Sequence, residues 1–304
     1  MYRVIETWKV LPGLIRVLAS PRFRVRRAII HGLSLTRKSR TQMNTLEHLP
    51  VYAILLAVGM FAIILTLLEV GRRIGVRRRA LDPEGATAGL GAVDGAVFGL
   101  MGLLIAFTFS GAASRFDARR ELIVQETNAI GTAYLRVDLL PVSAQPKLRQ
   151  DFRDYLDARL AFYGKLPDLQ AAKVEDARAT ALQREIWAEA VAACKEQNSA
   201  AVTSLVLSSL NEMIDITTTR AMAMRTHPPA IIYGMLIVLV MASSLFAGYG
   251  MSSGKARSRL HMLGFAVIMA IAVHVILDIE FPRLGFVRIS SADQIMVDLR
   301  ESMK

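Results

Sequence analysis

The sequence predicts an all-α membrane protein with four transmembrane helices, the second and third extended into a soluble helical hairpin and bundle. Three observations predict it. Four apolar runs, Val51–Val70, Leu90–Ala113, Ile231–Met251 and Leu260–Ile279, each approach the roughly 20 residues a helix needs to cross the hydrocarbon core. The chain is 53% hydrophobic with mean hydropathy +0.37, and the excess is gathered into those runs. From Ser114 to Arg225, between the second and third runs, the chain is polar, lacks strand alternation, and has prolines only at Pro141, Pro146 and Pro167. The expected division is 1–42 a basic N-terminal extension, 43–113 the first two spans, 114–226 a soluble helical domain, 227–281 the last two spans, and 282–304 a tail.

Charge and cysteine content exclude several classes. The net charge is +11, but Met1–Gln42 holds ten Lys/Arg and one acid, and Ser114–Arg225 holds 15 basic and 15 acidic residues. The basic excess belongs to one segment, so no nucleic-acid partner is expected. Cys194 is the single cysteine, which excludes an intrachain disulfide. Five scattered histidines and one cysteine offer no metal cluster of the zinc type, and no cofactor is expected. No nucleophile–base constellation or phosphate loop is present, so the chain does not read as an enzyme.

The Arg-rich start carries Pro12 and Pro21 and lacks the apolar core of a secretory signal. It fits either a polybasic arm on anionic lipid or an upstream extension, with Met43 as the natural start. Pro50 suits the first turn of the first span, expected to run to Glu69. The connector that follows holds Arg72, Arg73, Arg77, Arg78 and Arg79; that between spans three and four holds Lys255, Arg257 and Arg259. The positive-inside rule places both in the cytoplasm and the large domain outside, whereas a start at Met1 argues for the reverse.

Span two spaces Gly91, Gly95, Gly99 and Gly102 for close helix packing, in this chain or against another. At 100° per residue Asp94, Phe98, Met101, Ile105, Thr108 and Phe109 form a second stripe. It fits a pore wall and equally an ordinary buried face. An acid inside a span is a functional candidate because its burial costs about 2.5–3.5 kcal/mol on insertion scales.

The soluble part reads as three helical pieces. The first continues span two to about Leu140. The second runs from about Lys147 to Tyr163, with Leu148, Phe152, Tyr155, Leu156, Leu160 and Tyr163 on one face. The third runs from Asp168 to Arg225, as one helix or with a break, and ends before His227-Pro228-Pro229. Equal heights above the membrane place Glu126 and Asn128 opposite Asn211, Glu212 and Asp215, with Arg119 and Arg120 near Arg220. This polar layer fits a structural network, or a ring meeting ions in an oligomer's vestibule. In span four His274 and Asp278 share a face at i, i+4 and read as a proton-sensitive pair, as a cap at the membrane edge, or with His274 meeting Asp94 of span two.

Three stretches, SRFDARRELIVQETNAIGTAYLRVDLLP, SLNEMIDITTTRAMAMRTHPP and ILDIEFPRLGFVRIS, resemble the bestrophin-like domain family of bacterial and plant membrane proteins. The matching residues include Glu126, Asn128, Gly131, Tyr134, Arg136, Asn211, Glu212, Asp215, Arg220, Pro228, Pro229, Asp278, Pro282 and Gly285. The resemblance implies a distant relation to bestrophins, pentameric anion channels whose second span lines the pore. Phe98, Phe107 and Phe109 look like an aromatic-lined neck. Bestrophins keep their large domain in the cytoplasm, and the arginine connector here departs from that. The expectation is an oligomeric ion channel of the inner membrane, in contact with lipid, further copies of itself and inorganic ions. The alternative is a non-conducting scaffold or sensor whose hairpin binds a partner.

Overall fold

The computed structural model describes residues 49–82, 90–166, 168–253, 259–282, 286–287 and 289–303. The extension 1–42 and the Met43 start lie outside the described residues. Those residues form eight α-helices joined by short 3-10 turns, with no strand among them. Four helices are long and apolar enough to cross a membrane.

Helix α1, Leu49–Leu81, is longer than the expected span. The arginine segment continues the helix because no breaker occurs before Asp82. Arg72 and Arg73 both donate to Glu69 across one turn, at 2.9–3.0 Å. The positive charge also complements the helix's C-terminal end. Gly71 and Gly75 do not break the helix; they are contact points.

Helix α2, Leu90–Arg136, runs unbroken for 47 residues, about 70 Å. It therefore carries span two directly into the soluble layer. A 3-10 turn, Val137–Leu139, ends it ahead of Pro141. Helix α3, Gln145–Gly164, starts with Pro146 in its first turn and buries Leu148, Phe152, Tyr155, Leu156 and Tyr163, as its pattern predicts. Leu160 is half-buried against the same core.

Helix α4, Leu169–Gln197, opens on Asp168, whose side chain accepts from the Gln170 and Ala171 backbone N–H groups. Asp168→Ala is expected to cost about 1 kcal/mol in a chemical-denaturation curve of the full chain. The expected long third piece breaks at Asn198, which adopts φ 48°, and Ser199 caps the next helix. Helix α5, Ala200–Arg225, then returns towards the membrane along α2. Arg119 Nε donates to the Ala223 carbonyl at 3.2 Å and Arg136 Nη1 to the Leu205 carbonyl at 2.5 Å. These two crosslinks fix an antiparallel register in which Asn128 falls opposite the Asn211–Asp215 turn.

Pro228 and Pro229 separate α5 from α6, Ala230–Gly250, which is span three. Helix α7, Arg259–Glu280, is span four, and α8, Ser290–Ser302, folds back onto the soluble bundle. There Arg300 pairs with Asp157 of α3 at 2.8 and 3.0 Å, and Met296 is wholly buried. The tail segment is thus part of the soluble core.

Two cores result. In the membrane layer Ile64, Leu68, Met101, Leu236, Val240 and Val273 join α1, α2, α6 and α7. In the soluble layer α2 and α5 lie side by side, with α3, α4 and α8 packed behind them around Phe152, Tyr155 and Ile186. Among the described residues nothing packs on the other side of the α2/α5 pair.

Candidate functional site

The polar layer of the hairpin divides into an inner and an outer half. Glu126 is fully buried between two guanidinium groups. Arg159 Nε reaches Oε1 at 2.6 Å and Arg220 Nη1 reaches Oε2 at 2.5 Å. Arg159 also donates to the Tyr163 hydroxyl at 2.5 Å, and that hydroxyl donates to Glu126 at 3.4 Å. The Arg220 guanidinium lies 3.6 Å from the Tyr163 ring centroid and reaches Asp293 of α8 at 3.3 Å. One carboxylate thereby ties α2, α3 and α5 together, with α8 attached through Arg220. Burial pushes the Tyr155 and Tyr163 phenols above their ordinary range. Burial alone lowers the Arg159 guanidinium, but Tyr163 and Glu126 outweigh it and hold the group above its usual value.

Asn128, Asn211, Glu212 and Asp215 are exposed on the bare side of the α2/α5 pair. They share the height the sequence assigns them but do not meet Glu126. Its partners are Arg220, which belongs to the expected layer, and Arg159, which does not. The signal for Arg159 is its place between Tyr155 and Tyr163 at i−4 and i+4. An arginine on an aromatic helix face needs acceptors for its charge, and a buried acid is one.

A second buried carboxylate sits where three spans leave the membrane. Glu280 has no exposed surface and pairs with Arg115 at 2.6 Å and the His227 ring at 2.8 Å. Arg119 donates to the carbonyls of Glu280 and Thr226 at 2.8 and 3.1 Å. This cluster joins α2, the α5–α6 junction and α7. Sequence reasoning places Arg119 at about the right height on the hairpin but assigns Glu280 no role.

The second span turns its candidate stripe inward. Met101 and Thr108 are buried; Thr108 Oγ1 donates to the Leu104 carbonyl at 2.7 Å. Phe98 meets Phe265 of α7 edge-on, with centroids 6.4 Å apart, and Ile105 packs on the same core. Asp94 is half-buried on this side, and only Phe109 is exposed, at 46%. The stripe as a whole is therefore not an outer wall of the chain, because α7 covers it. The outer wall is the opposite face. A Cβ placed on Gly91, Gly95, Gly99 or Gly102 meets nothing within 4 Å. Among the described residues, no other helix of the chain approaches these glycines that closely. The tight glycine contacts lie elsewhere: a Cβ on Gly71 or Gly248 overlaps the carbonyl oxygen of Leu245 or Leu68, and one on Gly75 overlaps Ser252.

Both members of the span-four pair meet the segment that follows α7. Asp278 accepts from the Phe286 and Val287 backbone N–H groups at 2.8 Å, fixing the chain's return after α7. His274 lies edge-on to the Phe286 ring, 6.0 Å between centroids. Among the described residues no group of three His, Cys, Asp or Glu side chains is placed to hold a metal ion.

Comparison with family models gives one match, the bestrophin-like domain, over residues 58–294. No curated protein and no solved structure matches the chain.

Proposed function

The chain belongs to the bestrophin-like domain family, and from that premise we propose that it is a homo-oligomeric ion channel of the inner membrane. The second span lines the pore through its bare face, not through the stripe that α7 covers. One observation carries this reading. The bare face is continuous along α2, built of small residues in the span (Gly95, Gly99, Ala106, Ser110) and polar above it (Asp117, Glu121, Asn128). Asn211, Glu212 and Asp215 of α5 widen the polar part. Glycines facing lipid waste packing area; facing other copies they admit close approach around an axis. Leu103, 52% exposed, is the large side chain on that line and forms the constriction.

The carboxylates of Glu121, Glu212 and Asp215, repeated around an axis, make an acidic vestibule. Acidic rings select cations, so this chain passes cations where the bestrophin resemblance implies anions. The arginine-rich end of α1 sets the opposite end of the bundle in the cytoplasm.

The test begins with native mass spectrometry of the full chain in mild detergent, expected to show a closed ring. In planar bilayers Leu103→Ala is expected to raise unitary conductance. Glu212→Gln with Asp215→Asn is expected to lower the cation-to-anion permeability ratio several-fold, read from reversal potentials. A stable monomer in nanodiscs, or a reversal potential indifferent to both carboxylates, removes this assignment. A monomer with a stoichiometric partner on the α2/α5 face favours the scaffold reading.

A further inference from the structure

A separate site lies at the arginine-rich end of α1, away from the proposed pore face. The close approach of Gly71 to Leu245 and of Gly75 to Ser252 sets this end of α1 level with the end of α6. The segment after Gly75 therefore lies at the bilayer boundary, in the headgroup layer. Glu69 pairs with Arg72 and Arg73. Arg77, Arg78 and Arg79 have no acidic partner among the described residues, leaving three cations at a lipid interface.

Two buried atoms give this patch a built centre. Ser252 is 9% exposed, and its Oγ has no hydrogen-bond partner among the described residues. Arg79 Nε is also buried and without one. Ser252 packs against Gly75, and Arg79 is one turn further on the same face of α1. A guanidinium N–H only donates, and a serine hydroxyl donates readily. Buried donors need acceptors, so the missing ligand is an acceptor, and with three arginines present it is anionic. A phosphodiester at a membrane edge meets each requirement. We propose that Arg79 and Ser252, flanked by Arg77 and Arg78, bind the phosphate of an anionic phospholipid of the inner leaflet, clamping span one to span three. Juxtamembrane arginines attract that leaflet in general; two buried donors, one turn of α1 apart in level, make this a defined site.

The test uses the full chain in mild detergent with dioleoylphosphatidylglycerol, dioleoylphosphatidylcholine and inorganic phosphate as probes. Native mass spectrometry reads retained lipid, and thermal melts read stabilisation. Phosphatidylglycerol is expected to be retained about tenfold over phosphatidylcholine and to raise the melting temperature, as one or two charge-assisted hydrogen bonds imply. Arg79→Gln and Ser252→Ala are each expected to lower retention by about that factor, and Arg73→Gln to leave it unchanged. Equal retention of the two lipids overturns the site. So does an equal loss from every arginine variant, which marks diffuse attraction. Stabilisation by inorganic phosphate without a phosphatidylglycerol advantage overturns the lipid assignment in favour of a free anion. Should Arg79→Gln fail to fold, Ser252→Ala and the wild-type lipid comparison decide the question.

Discussion

Glu126→Ala is expected to lower the unfolding free energy by about 3–5 kcal/mol, the largest loss from any single polar change in the soluble bundle. The reason is what remains behind. Arg159 and Arg220 have side chains only 5% and 4% exposed. Without the carboxylate, two guanidinium charges face each other in a site closed to water. A guanidinium cannot neutralise itself by losing its proton. The lost pairing is therefore added to repulsion and to desolvation of two cations. Glu126→Gln keeps the shape but not the charge and is expected to fall in the same range. Glu212→Gln, an exposed carboxylate on the same hairpin, is expected to stay within about 0.5 kcal/mol. Denaturation of the full chain in one detergent, followed by circular dichroism, separates the two. A loss below about 1 kcal/mol for Glu126→Ala contradicts a carboxylate that holds three helices together.

The contrast between Glu126 and Glu212 also shows what the sequence makes legible. Height along the hairpin follows from 1.5 Å per residue, so the level of Asn128 against Asp215 is readable without coordinates. Which way a side chain points about the helix axis is not, when a helix has neighbours on more than one side. The pattern of α3 resolves itself because one face is aromatic and aliphatic. Span two does not, because apart from Asp94 its circumference is mostly apolar or small, so Phe98, Met101 and Ile105 serve a lumen and a core equally well. In the folded chain Phe98 meets Phe265 of α7, and Met101 and Ile105 join the same core. The helix limits show a related rule. Gly71 and Gly75 in an arginine-rich stretch resemble a connector, yet no proline or capping residue stops the helix, and an i, i+4 glycine pair at a membrane edge is a contact surface. Asn198 and Ser199 are the opposite case: a residue tolerant of positive φ followed by a capping serine marks the break between α4 and α5.

Gly248→Ala is expected to disrupt the membrane layer more than any other single methyl addition there. The new Cβ would occupy space held by the Leu68 carbonyl of α1, with the Leu68 Cα and carbonyl carbon just behind it. A flexible side chain could swing away; a backbone carbonyl inside a helix cannot, so α1 and α6 must separate. Gly71 presses on Leu245 from the other helix, so the two glycines are reciprocal halves of one crossing. Overpacking of well-filled sites costs about 1–3 kcal/mol, and a clash with main chain belongs at or above the top of that range. Separation of the helices would also draw Ser252 away from Gly75 and open the proposed phosphate site, so lipid retention is expected to fall together with the melting temperature. Gly99→Ala is the necessary comparison. Its Cβ meets nothing within 4 Å among the described residues, and in a helix alanine is favoured over glycine by roughly 1 kcal/mol. The monomer is therefore expected to melt at the same temperature or higher. Any damage from Gly99→Ala must then appear between copies, as loss of the ring in native mass spectrometry. If Gly99→Ala destabilises the monomer itself, the outer face of span two is packed within the chain and the bare-face pore is wrong. If it leaves both monomer and ring intact, those glycines face lipid or open water, and close contact between copies must be sought on another helix.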